Sequence, residues 1–260
     1  MIVVVTGGAS GIGEACCRTL ALRQAVVVVA DIDEKRCHEV AREVDGVPLP
    51  VDVGSEDSVL AAQQEVERNV GPVDGLVTAA GVIQPPLPPD QLSQQTWDDL
   101  VRIDLRGVYL CCKAFGSSMA KRGRGNIVNI ASTAGMCSMP LHAYAPAKAA
   151  IIALTQGLAA EWGPRGVRVN CVSPGFTLTP ALRAAFNAGT RNPDVLIQNI
   201  ALGRLVEPQE VASVIAFLLS DGSSAITGAN LPVDCGFLVS TSWHAFGGLR
   251  TGAYSDGESD

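Results

Sequence analysis

Tyr144 and Lys148 stand four residues apart, a spacing that puts two side chains one turn apart on the same helix face. A free phenol titrates near about pH 10 and is a poor base at neutrality, but an ammonium within a few ångströms favours its phenolate form. Such a pair is suited to exchanging a proton with an alcohol or carbonyl oxygen. The same spacing occurs on ordinary surface helices, so its meaning depends on what surrounds it.

A second constellation opens the chain. An apolar run leads directly into Thr6-Gly7-Gly8-Ala9-Ser10-Gly11-Ile12-Gly13. Here Gly7, Gly11 and Gly13 would allow a tight turn, close approach of the backbone to a pyrophosphate, and close packing of the following helix on its strand. Ser10, Ile12 and the free N–H groups of that helix would meet the phosphates. A ligand-free glycine turn is the bland alternative, and the position between first strand and first helix speaks against it. About twenty residues on, a run of valines ends at Asp31, followed by Ile32. A carboxylate there accepts hydrogen bonds from the adenosine ribose and repels a 2′-phosphate, which selects NAD over NADP. Its competing role is to cap the next helix, a task for which Asp33 is equally placed. Asp52 and Val53 follow the third apolar run, where an adenine edge would lie.

These groups need a scaffold, and the alternation of the chain supplies one. Short runs rich in Val and Ile at 3–6, 25–30, 47–51, 75–79, 126–131, 168–173 and 230–233 read as strands. They lack polar alternation, as expected when both faces of a parallel sheet are covered. Segments of helical period lie near 11–23, 34–44, 55–70, 97–121, 143–162 and 208–219. The expected fold is α/β: one Rossmann-like, doubly wound parallel sheet of about seven strands with helices on both faces. We expect a single NAD-binding catalytic domain over 1–239 and a partly ordered tail over 240–260. The stretch 83–93 reads as a Pro- and Gln-rich loop, and 177–202 as a mobile pair of short helices.

Bulk properties exclude several classes. A formal charge of −7 without a long basic run argues against nucleic acid or an anionic membrane as the main partner. No apolar run approaches the roughly 18 residues of a membrane span. Met1 leads straight into Ile2-Val3-Val4-Val5, so no signal peptide is read. None of the eight cysteines forms a C-x-x-C pair and most lie in apolar runs, so no metal site is expected, and reduced thiols in a cytoplasmic protein are.

With these motifs in hand, the chain resembles the single-domain short-chain dehydrogenases/reductases of roughly 250 residues. The likeness runs from Val3 to about Val239. It rests on the 6–13 turn, Asp52-Val53, the run 125–132, Tyr144 with Lys148, and the run 168–175. It implies that Ser132 hydrogen-bonds the substrate oxygen, that Tyr144 is the acid/base, and that Lys148 holds the nicotinamide ribose and assists Tyr144. It further implies that Pro174 and Gly175 begin a loop over the nicotinamide, with Thr177 and Thr179 meeting its carboxamide. Simpler roles compete: a strand-end turn for Ser132, a helix cap for Thr179, a plain turn for Gly175.

The chain also departs from the family pattern. Thr78-Ala79-Ala80-Gly81 stands where Asn-Asn-Ala-Gly is usual, with Ala79, Ala80 and Gly81 expected at the cofactor after a local repacking. Asp104 stands in place of an Asn that completes a proton relay. The swap exchanges an amide donor for a carboxylate, which then has to be protonated or paired, with Arg102 and Arg106 the nearest candidates. Cys235 replaces a common Gly and reads as tolerated packing.

The activity implied is NAD-linked hydride transfer to or from a secondary alcohol or carbonyl of a small substrate, with a polyol, sugar or cyclic alcohol preferred. One alternative is a non-catalytic NAD-binding scaffold or sensor. Another is an epimerase or dehydratase, against which chain length and glycine spacing both speak. Thr133, Cys137, Met139, His142, Phe176, Leu178 and Leu182 are the pocket candidates. The resemblance implies a homotetramer built through the helices near 97–121 and 143–162. The aromatic segment 242–250 would cover a substrate pocket or an interface, and the acidic end 254–260 is expected to be disordered.

Overall fold

The computed structural model describes residues 1–249, and the expectation for 254–260 lies outside them. Seven strands form one parallel sheet: β1 Ile2–Thr6, β2 Val26–Asp31, β3 Val47–Pro50, β4 Gly75–Thr78, β5 Gly125–Ile130, β6 Val167–Pro174 and β7 Asn230–Val233. Their spatial order is β3-β2-β1-β4-β5-β6-β7, and every pair is parallel. All seven expected strands are present, and the doubly wound fold is the one read from the sequence.

Alternate residues of one strand feed two cores. Val3 and Val5 join Cys17, Leu20, Val40 and Ile215 on one face, while Val4 joins Val59, Leu76, Phe115 and Ile151 on the other. Since both faces are dry, β1 has no need of polar alternation. The helices that supply the first face include α1 Gly11–Leu22, α2 Glu34–Glu43 and, late in the chain, Pro208–Leu219. The second face takes α3 Glu56–Asn69 and a long composite helix. That helix runs as α4 Gln94–Leu100, a π-helical stretch Val101–Gly107, α5 Val108–Cys111, a second π-helical stretch Cys112–Gly116, and α6 Ser117–Arg122. The sequence pattern anticipated one regular helix here; the structure instead twice admits extra residues into its turns.

The 19-residue α7 Tyr144–Trp162 packs beside it on the same face. Two short helices, α8 Pro180–Asn187 and α9 Pro193–Ile197, lie in the stretch 177–202, which matches the pair of helices expected there. Then come α10 Pro208–Leu219 and α11 Phe237–Ser240. Chain order reverses across β1 and β4, so a crevice opens beyond the carboxyl ends of the strands there. No helix among the described residues is long and apolar enough to cross a membrane.

Candidate active site

That crevice is a cavity of about 520 Å³, and all twenty residues singled out above as cofactor or catalytic candidates line it. At its floor the glycine turn is enforced by contact. Gly7 has φ +67°, and a Cβ there would lie 2.5 Å from the backbone N of Ala80. A Cβ on Gly13 would overlap the Gly7 carbonyl oxygen. Ser10 is the N-cap of α1 but its side chain makes no capping bond, which leaves the first-turn N–H groups facing the cavity for an anion.

Asp31 ends β2. Its Oδ2 accepts the Ala9 N–H at 3.0 Å and its Oδ1 accepts the Asp33 N–H at 3.0 Å. Capping of α2 falls to Asp33, whose Oδ1 accepts the Arg36 N–H. The carboxylate of Asp31 is thus freed from capping, fixed by two backbone donors, and turned to the cavity. Asp52 accepts the Gly54 N–H and pairs with Arg102 at 3.5 Å.

The other end of the cavity is built by β5, α7 and the π-helical turn. Tyr144 is the first residue of α7, and Lys148 lies one turn further, its Nζ 5.3 Å from the Tyr144 ring centre. Ser132 follows β5; it lines the cavity while its Oγ accepts the Ala134 N–H, so it is a turn residue as well. Thr179 likewise lines the cavity and also caps α8 through the Leu182 N–H.

Lys148 Nζ donates to the Ile130 carbonyl at 3.3 Å and lies 3.0 Å from Asp104 Oδ2. Both side chains of this ion pair are buried, 6% exposed for Lys148 and 0% for Asp104. Burial pushes the Lys148 ammonium down, but the Asp104 carboxylate, with Tyr144, more than offsets this and holds it above the ordinary value of 10.5. The other Asp104 oxygen accepts the Val82 N–H at 2.8 Å. The expected partners Arg102 and Arg106 are not used. Arg102 turns to Asp52 and Asp99, and Arg106 donates to the Gly54 carbonyl. Their side chains leave the helix on other faces than Asp104, whose own position in a π-helical turn aims it at α7.

In the altered stretch 78–81 the hydrogen bonds run from the end of β4 into β5 and α7. Thr78 Oγ1 donates to Asn129 Oδ1 at 2.9 Å, and Asn129 Nδ2 donates to Thr155 on α7. Of the pocket candidates, Thr133, Met139, Phe176 and Leu182 line the cavity. Cys137 and His142 line a separate depression, and Leu178, whose N–H donates to the Val206 carbonyl, is not part of the cavity wall. None of the described tail residues 240–249 lines the cavity of its own chain. Cys235 adopts φ +52°, so its site demands a left-handed backbone, which the reading as plain packing missed.

One positioning residue was missed. Gln84, from the Pro- and Gln-rich loop, is 1% exposed, and its Oε1 accepts the N–H groups of Ala143 at 2.8 Å and Tyr144 at 3.1 Å. These donors require an oxygen opposite them, which fixes the amide's orientation. It closes the N-terminus of α7, where Ala143 offers no side-chain cap. Only the absence of a capping residue before Tyr144 hinted at it.

Known proteins resemble this chain over nearly its whole length. Residues 7–238 match the family model described as enoyl-(acyl carrier protein) reductase. The chain is 40% identical to the cis-4-hydroxycyclohexanecarboxylate dehydrogenase of Sinomonas cyclohexanicum, over 91% of this chain and 96% of that one. It is 37% identical to the D-threitol dehydrogenase of Mycolicibacterium smegmatis, over 92% and 93%. A solved structure from Brucella melitensis 16M, named ribose-5-phosphate isomerase, superposes with a TM-score of 0.94 at 57% identity, covering 96% of both chains. The chain belongs to the short-chain dehydrogenase/reductase family of oxidoreductases.

Proposed function

We propose that this protein is an NAD-dependent dehydrogenase that interconverts a secondary alcohol and its ketone on a small polyol, sugar or cyclic alcohol. The observation that carries the reading is one cavity holding Tyr144 above a buried ammonium at one end and a glycine turn with a fixed carboxylate at the other. The relatives named for threitol and hydroxycyclohexanecarboxylate support the substrate class.

The residues fit a dinucleotide: Gly7 and Gly13 allow a turn so tight that any Cβ would strike its backbone, and α1 presents unspent N–H groups. Gly7, Ser10, Gly11, Ile12 and Gly13 would hold the pyrophosphate, Asp31 and Ile32 the adenosine ribose, and Asp52 and Val53 the adenine. Ala79, Ala80 and Gly81 would line the next ribose, with Lys148 binding its hydroxyls, and Pro174, Gly175, Thr177 and Thr179 would frame the nicotinamide. When bound, NAD supplies a hydride acceptor. The Asp31 carboxylate would repel a 2′-phosphate, which favours NAD over NADP.

In the oxidation direction Tyr144 Oη takes the proton of the substrate hydroxyl, and in reduction it returns it. Ser132 holds the substrate oxygen by a hydrogen bond. Lys148 places a positive charge beside the Tyr144 ring, and Asp104 keeps Lys148 charged and oriented in its buried position. The chain acts as one unit over 1–239. It assembles as a homotetramer: α7 leaves Ala149, Ala153, Gly157 and Ala160 exposed, a flat face suited to close helix packing. Eight free thiols support a reducing, cytoplasmic setting.

The test is a panel of secondary alcohols, polyols and sugars followed at 340 nm with NAD and NADP separately, beside Tyr144→Phe. We expect NADH formation by the wild type and none by the variant, with NAD affinity retained. Equal use of NADP would refute the role of Asp31. Isomerisation of ribose 5-phosphate without nicotinamide, unaffected by Tyr144→Phe, would refute the oxidoreductase reading.

A further inference from the structure

The charged residues lining the cavity are Asp31, Asp52, Arg102, Asp104, Lys148 and Arg191. Five of these are accounted for. Asp104 pairs with Lys148, Arg102 with Asp52 and Asp99, and Asp31 is held by two backbone N–H groups. Arg191, half-buried in the wall, has no anionic partner among the described residues.

The chain places Arg191 with some care. At the end of α8, Gly189 adopts φ +67° and donates to the Phe186 carbonyl, while the Thr190 N–H reaches back to Ala185. This is the double bond pattern of a glycine-terminated helix. The Ala185 carbonyl accepts from Thr190 Oγ1 and from the Arg191 N–H as well. On the other side, Asn192 is fixed by capping α9 through the Asp194 N–H. Arg191 is therefore clamped between two helix ends, next to Ala185, on the face of α8 whose Ala181 and Leu182 also line the cavity. Thr179, before α8, packs against Gly11, a Cβ on which would lie 3.3 Å from the Thr179 methyl. Six residues of helical rise separate Thr179 from Ala185, about 9 Å, so the Arg191 backbone sits at the opposite end of α8 from the Thr179–Gly11 contact.

We infer that Arg191 is the anion subsite of the substrate pocket, and that the preferred substrates are secondary alcohols bearing an oxyanion group, a carboxylate or a phosphate. A guanidinium fork matches both groups, and a half-buried one without a protein partner is completed by such a ligand. This rests on the dehydrogenase reading but is separable from it, because binding can be read without turnover.

The experiment titrates the NADH complex of the wild type, Arg191→Ala and Arg191→Lys with cyclohexanecarboxylate, cyclohexyl phosphate and the neutral cyclohexanecarboxamide, following nicotinamide fluorescence. The wild type is expected to bind one or both anions about tenfold more tightly than the amide. Arg191→Ala should abolish that preference with its NADH affinity within about twofold of wild type, and Arg191→Lys should recover part of it. Which anion gains more separates a carboxylate subsite from a phosphate one. Equal binding of all three ligands by the wild type would overturn the inference. So would a loss of NADH affinity in Arg191→Ala, which would assign the guanidinium to the dinucleotide. Failure of the wild type to bind NADH at all would overturn the dehydrogenase reading and the inference with it.

Discussion

Replacing Asp104 by Asn removes the charge opposite Lys148 while keeping an oxygen for the Val82 N–H. At 3.0 Å and an effective dielectric near 20, the attraction lost is about 5 kcal/mol before desolvation is counted. A second ceiling comes from the lysine, which can escape by losing its proton. From an ordinary value of 10.5 that costs about 5 kcal/mol at pH 7 and about 2 kcal/mol at pH 9. Breaking buried pairs usually costs about 3–5 kcal/mol, so about 3 kcal/mol is expected at pH 7, or a drop in thermal midpoint of about 6–12 °C.

The sign of the pH dependence follows from the direction of the shift. Wild-type Lys148 is held above 10.5 in the folded protein, so the pair's contribution is complete below that pH and is lost only as pH rises through the folded value. In Asp104→Asn the main opposition to burial is gone, the lysine falls below 10.5, and the penalty is relieved as pH climbs from the lowered value towards 10.5. Thermal midpoints of both proteins at fixed concentration should therefore differ most at pH 7, and the gap should shrink by about a third or more at pH 9. A gap of under about 2 °C at pH 7, or one that does not change with pH, would refute the buried-pair account.

Gln84→Ala should leave two α7 N–H groups without an acceptor, costing about 1–3 kcal/mol, and should lower kcat roughly ten- to a hundredfold with little change in the KM for NAD. Gln84→Glu, which keeps an oxygen in place, should recover much of kcat; a variant that is less stable but fully active would reduce Gln84 to a structural cap. Cys235→Gly should raise stability by about 1 kcal/mol by relieving the left-handed backbone, checked by urea denaturation, and a lower midpoint would contradict the strain.

The parts of this molecule that the sequence disclosed are those where local chemistry and local position coincide. Every strand was readable because both faces of the sheet are apolar, and the glycine turn because its geometry is set within eight residues. Asp31 was resolved in principle too, since Asp33 stood ready as the competing cap. What failed was long-range. The partner of Asp104 was sought two residues away, whereas Lys148 comes from another helix. Gln84 acts across a separation of 60 residues from inside a loop whose composition suggested only irregular structure. His142 and Cys137, close in sequence to Tyr144, line a different depression beside Ala145, Pro146 and Ala149 of α7, because nearness in sequence does not decide which side of a wall a side chain faces.

The π-helical stretch Val101–Gly107 has a consequence for how this helix can change by insertion and deletion. Such a turn is an α-helical turn carrying one surplus residue, accommodated without breaking the axis. Excising a single residue between Val101 and Ile103 would let the segment relax to a regular helix. It would also rewind the turn that holds Asp104, changing the direction of its side chain relative to Lys148. The core contacts of α5 and α6 would survive such a loss, whereas the buried pair would not. In this protein the reading frame of one helix, counted in residues per turn, decides whether a carboxylate reaches its ammonium.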